Sequence, residues 1–269
     1  MSGTAADAGS LDWFSRPSTT SAGTLNLAYQ ALDRHVVRGL ADEPALLHPS
    51  AGPGARSFYS YADLLERVGQ LGGGLRELGV RPGRTVVLAL PLVPELVIGL
   101  LACARVGAVA VPLLDDAPAA VRRLGQDAAL DRPAVVVVDA ARKAAVDAVL
   151  AAAGRSADFS VVLRPEPGTP DASVGDVDLA VLMRPGAFQP AVCAELAPTS
   201  PLLVRLGGGQ GSGATTTYDH GWVRALLTMA TAAGWGRSTY VAPADDPTDA
   251  APFAALLAPF LRGAAVELR

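Results

Sequence analysis

Apolar residues recur at helical spacing through "LNLAYQALDRHVV" (Leu25 to Val37), which predicts a helix with one core-facing stripe. A second helix is predicted over "SYADLLERVGQLGGGLRELG" (Ser60 to Gly79), with Ser60 as its cap, Asp63 as the reciprocal partner three residues on, and Gly79 as its stop. The pattern then alternates. "TVVLALP", "AVAVPLL" and "AVVVVD" are short, continuously apolar runs that predict buried strands, and between them "PELVIGLLACARVG", starting near Pro94, and "PAAVRRLGQDAA" predict helices. Further helices are expected over Arg142 to Ala153, Gly221 to Ala233 and "AAPFAALLAPFLRG". Further strands are expected over Phe159 to Leu163, Leu179 to Met183, Leu202 to Leu206, "STYVAP" and "AAVELR". Uninterrupted apolar strands alternating with helices imply an α/β fold of mainly parallel sheets flanked by helices. Residues 1–24 read as a flexible tail and 25–269 as one folded body. Within it the Pro-, Gly- and Asp-rich stretch from Arg164 to Asp178 reads as a loop.

Composition narrows the class. A chain of 269 residues, half of them hydrophobic, can bury a large core. A net charge of −4 with no basic run lacks the electrostatic footprint of a nucleic-acid binder. The most apolar stretch is broken by Pro91, Pro94, Glu95 and Arg105, and the N-terminus has no charged start followed by an apolar run, so neither a membrane span nor a signal peptide is expected. Cys103 and Cys193 lie far apart in apolar surroundings, which suits buried free thiols and a cytoplasmic location. His35, His48 and His220 stand singly, without a carboxylate–nucleophile pattern, and read as surface or capping residues. Arginine supplies nearly all the positive charge, and Lys143 is the only lysine in the chain.

The blocks "LNLAYQALDRHVVRGLADEPALL" and "SYADLLERVGQLGGGLRELGVRPGRTVVLALPLVPELVIGLLACARVGAVAVPLL" resemble the N-terminal part of AMP-forming acyl-CoA synthetases, of the acetyl- and propionyl-CoA synthetase kind within the adenylate-forming superfamily. The resemblance runs from about Trp13 to Arg269 and implies an incomplete adenylate-forming N-terminal domain. It is carried most specifically by Pro94-Glu95, Ala102-Cys103-Ala104-Arg105 and Gly107-Ala108, which are scaffold positions and speak of fold more than of chemistry.

In that family a loop of the type Thr-Ser-Gly-Thr-Thr-Gly-x-Pro-Lys-Gly holds the ATP phosphates. Here the matching stretch after "SPLLV" reads Gly207, Gly208, Gly209, Gln210, Gly211, Ser212, Gly213, Ala214, Thr215, Thr216, within a glycine-rich loop over residues 207–217. The lysine is absent in either register, and read as a Walker-type loop, Ala214 stands where the lysine would be. What survives is a set of backbone amides leading toward the predicted helix at Gly221, so Gly209, Gly211, Ser212, Gly213, Thr215 and Thr216 are weak phosphate-loop candidates. Arg205 and Arg224 flank the loop as cations that could stand in, against the plain reading of solvated edge residues. The alternative for the whole loop is a flexible connector, since unrewarded glycines carry an entropic cost.

Two further departures bear on function. "VAPADDPTD" stands where the family places an aromatic-His element of the acyl pocket, and the family's magnesium site, ribose-binding aspartate and adenylation lysine are expected beyond the point matching Arg269. No catalytic residue and no metal ligand is assigned. By resemblance to an Arg-rich turn that contacts coenzyme A phosphates, Arg142 and Lys143 are weak candidates for CoA binding, the plain alternative being a solvated pair on a helix. The resulting expectation is a truncated, degenerate acyl-CoA synthetase-like chain: a catalytically inactive binding or interaction module, a pseudo-ligase, with at most weak affinity for ATP, AMP or CoA. The alternatives are half of an AMP-forming acid–thiol ligase completed by a separate polypeptide, and a decayed gene product. The apolar strand "AAVELR" at the end is expected to lack cover, so self-association or a protein partner is anticipated.

Overall fold

A computed structural model describes residues 25–48, 58–113, 133–163, 176–206, 215–234, 240–242 and 251–268. The first helical segment, residues 27–40, contains the π-helical turns Tyr29–Asp33 and Val36–Leu40, the latter with Gly39 at φ 87°. It starts where Asn26 Oδ1 accepts the Ala28 N–H at 2.9 Å. Strands β1 (Pro44–Leu47) and β2 (Phe58–Ser60) form an antiparallel pair, and α1 (Tyr61–Glu77) begins on the expected capping box: Ser60 Oγ accepts from the Asp63 N–H, and Asp63 Oδ2 accepts from the Ser60 N–H.

Then come β3 (Thr85–Ala89), α2 (Pro94–Val106), β4 (Val109–Pro112), β5 (Val135–Asp139), α3 (Lys143–Ala152), β6 (Phe159–Leu163) and β7 (Asp176–Asp178). They are followed by α4 (Leu179–Leu182), β8 (Pro201–Arg205), β9 (Thr216–Asp219), α5 (Trp222–Ala232), β10 (Tyr240–Ala242), α6 (Ala251–Leu257) and β11 (Val266–Leu268). A seven-stranded sheet has the order β7-β6-β5-β3-β4-β8-β9, parallel except for the β8–β9 hairpin, and a smaller sheet has the order β10-β11-β1-β2. This is the expected mainly parallel α/β architecture.

The continuous apolar runs are explained by burial on both sheet faces. Val86, Leu88, Ala110, Val135, Val137 and Leu203 pack into one cluster with α1, α2 and the small sheet. Their alternating neighbours Val87, Ala89, Val111, Val136, Val138 and Val204 pack on the opposite face with Val146 and Leu150 of α3. The α2 crossover therefore lies on one face and the α3 crossover on the other, and they diverge between β3 and β5.

Four expectations need correction. Leu179–Leu182 is helical, not a strand, because Asp178 accepts the Ala180 N–H at 2.8 Å and starts a turn; the strand lies just before it, at the end of the stretch read as a loop. The helix expected over "AAPFAALLAPFLRG" ends at Leu257 and continues as a tighter 3₁₀ turn, Pro259–Arg262, since Pro259 offers no N–H and disfavours a helical residue before it. Strands β1 and β2 are not apparent in the sequence pattern, being short and defined by distant partners. The terminal strand β11 is not uncovered: it sits between β10 and β1, with Val266 and Leu268 fully buried. The tail 1–24, the predicted helix "PAAVRRLGQDAA" and residues 164–175 lie outside the described residues.

Candidate functional site at the carboxyl edge of the sheet

Because β3, β4, β5 and β8 run parallel, the segments that follow them emerge on one edge. In open parallel sheets such an edge is where ligands bind, near the point at which the crossovers diverge. The glycine-rich loop leaves this edge from Arg205, at the end of β8. Gly209, Gly211, Ser212 and Gly213 fall outside the described residues. Thr215 and Thr216 are described, and Thr216 opens β9 directly opposite Arg205 in the ladder.

The loop is thus the turn of a β-hairpin, and it does not run into a helix as the sequence suggests. Helix α5 begins only after β9 has returned to the other end of β8, where Asp219 pairs with Pro201 and its Oδ1 accepts the Trp222 N–H at 3.1 Å. Four residues of strand separate the loop from that helix start, about 13 Å, so neither the helix dipole nor Arg224 serves the loop. The misreading arose because "TTTYD" is short and polar and carries no strand periodicity.

At the amino end of the hairpin, His220 is fully buried; its main-chain N–H donates to the Ser200 carbonyl and its Nδ1 accepts the Leu27 N–H at 3.2 Å. It caps the first helical segment, as a capping histidine should, but neither it nor His35, 5% exposed, is a surface residue. Burial pushes the His220 pKa down to about 4, so it is neutral at neutral pH, with its proton on Nε2.

Arg142 and Lys143 stand at the same carboxyl edge, on β5. Three inter-strand spacings separate β5 from β8, about 14 Å. Both cations are engaged from within the chain. Arg142 Nε lies 3.1 Å from Asp139 Oδ2 and its Nη1 donates to the Leu113 carbonyl at 3.2 Å, so the side chain reaches across the end of β3. Lys143 Nζ lies 2.5 Å from Asp147 and 3.4 Å from Asp176. Two cations thus face three carboxylates. Glu95, in the first turn of α2 on this edge, is the titratable group that sequence reading treated only as scaffold. Burial raises its carboxyl pKa, against opposing pulls from its own main-chain N–H, His48 and Arg67.

A second polar cluster is built around Arg105 of α2. Its guanidinium makes a two-pronged bond to Asp33 at 2.7 and 3.0 Å, donates through Nε to the Ala191 carbonyl at 2.5 Å, and touches Cys193 Sγ at 3.1 Å. Asn26 Nδ2 donates nearby to the Ala104 carbonyl at 2.8 Å and to the Ala194 carbonyl at 3.2 Å. Cys103 and Cys193 are free, and burial pushes both thiols up to about 12, which leaves them unreactive. This cluster locks segments together and has no open face for chemistry. Among the described residues no helix is long and apolar enough to cross a membrane.

Comparison with known proteins agrees with this architecture. Acyl-CoA synthetase from Brucella canis superposes with a TM-score of 0.74 at 19% identity, covering 91% of this chain and 43% of that one. Acetoacetyl-CoA synthetase from Streptomyces lividans gives 0.72 at 25% identity, covering 91% and 38%. In sequence, the acetyl-coenzyme A synthetase of Halorhodospira halophila is 39% identical over 144 residues, 48% of this chain and 22% of that protein. The Deinococcus radiodurans enzyme of the same name is 48% identical over 87 residues, 32% and 13%. The chain thus spans less than half the length of each of these proteins. The model of the AMP-binding enzyme family matches residues 33–198, ending three residues before β8, so the glycine-rich hairpin lies beyond the matched span. With well over half of its residues matched by that model on this fold, the chain belongs to the AMP-binding enzyme family.

Proposed function

We propose that this chain is a binding or interaction module on the acyl-CoA synthetase fold, a pseudo-ligase that holds a nucleotide phosphate weakly and does not form an acyl adenylate by itself. The observation that carries this reading is the position of the single lysine. "GGGQGSGATT" (residues 207–216) has no cation, and Lys143, the one lysine in the chain, is paired with Asp147 and Asp176 four strands away. Acyl-adenylate formation develops charge on departing pyrophosphate, and fixed cations that stabilise such charge are often the largest catalytic contribution. The carboxylates around Arg142 and Lys143 likewise make that pair a poor fit to the phosphates of CoA, so no step is assigned to CoA here.

Backbone amides alone would hold ATP or AMP weakly. Neutral hydrogen bonds contribute about 1 kcal/mol each, and three or four of them less the cost of association leave a dissociation constant on the order of millimolar. The test is ATP- and acid-dependent pyrophosphate release from the full chain with acetate, propionate and longer acids. Release indistinguishable from a no-protein control is expected. Release by the chain alone overturns the reading, and release only after adding a separately expressed C-terminal half would support a split ligase instead.

A further inference from the structure

We propose that Arg205 makes the stem of the β8–β9 hairpin an anion site for a phosphoryl group, supplying from the strand the positive charge that the loop lacks. This rests on the reading of the hairpin as a weak phosphate holder and adds a specific residue to it. Arg205 ends β8 at the carboxyl edge, opposite Thr216. Strand alternation puts its side chain on the face of Leu203, since the intervening Val204 packs on the other side.

Arg205 differs from the other described arginines in what surrounds its guanidinium. Arg84, Arg105 and Arg142 face Asp158, Asp33 and Asp139, while Arg67, Arg76 and Arg81 donate to main-chain carbonyls. The Nε of Arg205 is shielded from solvent and has no acceptor among the described residues. A buried donor without a partner is destabilising, and native chains keep one where an absent acceptor completes it. The Nε edge of a guanidinium presents two parallel N–H donors, a fork that matches two oxygens of a phosphoryl group. Its location at the hairpin mouth, about one strand length from Arg224, makes Arg205 and not Arg224 the cation that serves this edge.

The experiment follows arginine Nε–H signals of the full-length chain by ¹⁵N-edited NMR at low salt, during titration with inorganic pyrophosphate, with ATP, and with acetate at matched ionic strength. The Arg205 signal, assigned by its loss in Arg205→Leu, is expected to shift saturably with pyrophosphate and ATP in the millimolar range and little with acetate. Arg205→Leu should weaken pyrophosphate binding by about tenfold, and Arg205→Lys should retain part of it. If the wild-type chain binds pyrophosphate and Arg205→Leu binds it equally well with an unchanged unfolding midpoint, the assignment to Arg205 is overturned while the weak phosphate site stands. If the wild-type chain shows no binding to about 20 mM, both ideas fall. Should Arg205→Leu not fold, Arg205→Lys supplies the assignment, and an Nε–H signal that stays fixed while ATP binds elsewhere overturns the proposal.

Discussion

His220 shows how burial gives one residue a measurable signature. Its pKa falls from 6.5 to about 4 because the fully buried ring cannot be charged without losing hydration. A depressed histidine pKa means that the unfolded chain takes up the proton first as pH drops. Stability is therefore full above pH 6.5 and declines from there toward pH 4, by at most about 3 kcal/mol. Urea unfolding midpoints should fall over this window in the wild-type chain and stay flatter in His220→Asn, whose side-chain carbonyl can still accept the Leu27 N–H. Equal slopes in both chains would show that other groups set the acid response. At the loop, Ala214→Lys or Thr215→Lys restores a point charge where the family has one. If the hairpin has kept a phosphate-holding shape, either change should tighten ATP binding about tenfold by calorimetry, and no gain from either would mark the loop as a plain connector.

Among the elements, α1 carries glycines that look wasteful for a helix and are explained by what crosses it. The segment around Gln189–Ala191 lies directly on the helix: the Ala191 N–H donates to the Gly69 carbonyl at 2.8 Å, and a β-carbon on Gly73 would stand 2.3 Å from the Gln189 carbonyl oxygen. Gly73→Ala must displace main chain and should cost about 2 kcal/mol or more. At Gly69 the added carbon would meet only the Pro190 side chain at 3.5 Å, an ordinary contact. Gly69→Ala should thus be neutral or gain up to about 1 kcal/mol through helix propensity. Denaturant unfolding of the two variants gives opposite signs if this packing is right. The sequence predicts α1 and both of its ends, while the reason for its glycines lies in a segment more than a hundred residues away.

For the molecule as a whole, the Arg105 cluster joins the first helical segment, α2 and the chain around Ala191–Ala194. Removing one member of a buried, hydrogen-bonded ion pair leaves its partner uncompensated, so Arg105→Met should lower stability by about 3 kcal/mol in denaturant unfolding, with Asp33 left facing a dry interior. A loss under about 0.5 kcal/mol would show that Asp33 reaches water instead. The covered position of β11 also bears on assembly. An unpaired apolar terminal strand would have favoured association, but β1 and β10 already flank it, so that ground for a dimer is gone.

Local chemistry determined much of this protein in advance. The capping box at Ser60 and Asp63, the apolar runs of β3 to β6, and the Pro94 start of α2 depend on neighbouring residues and therefore survive being read one segment at a time. So does the missing loop lysine, which is a matter of composition. Only the tertiary structure decided the rest, because the deciding partners are distant in sequence. Strand β1 exists through its pairing with β11, and Leu179–Leu182 turns helical on the Asp178 cap. The hairpin moves the α5 start away from the glycine loop and leaves Arg205 beside it. Lys143, eligible by charge alone, is committed to Asp147 and Asp176, since a cation's availability is settled by the carboxylates that folding brings around it.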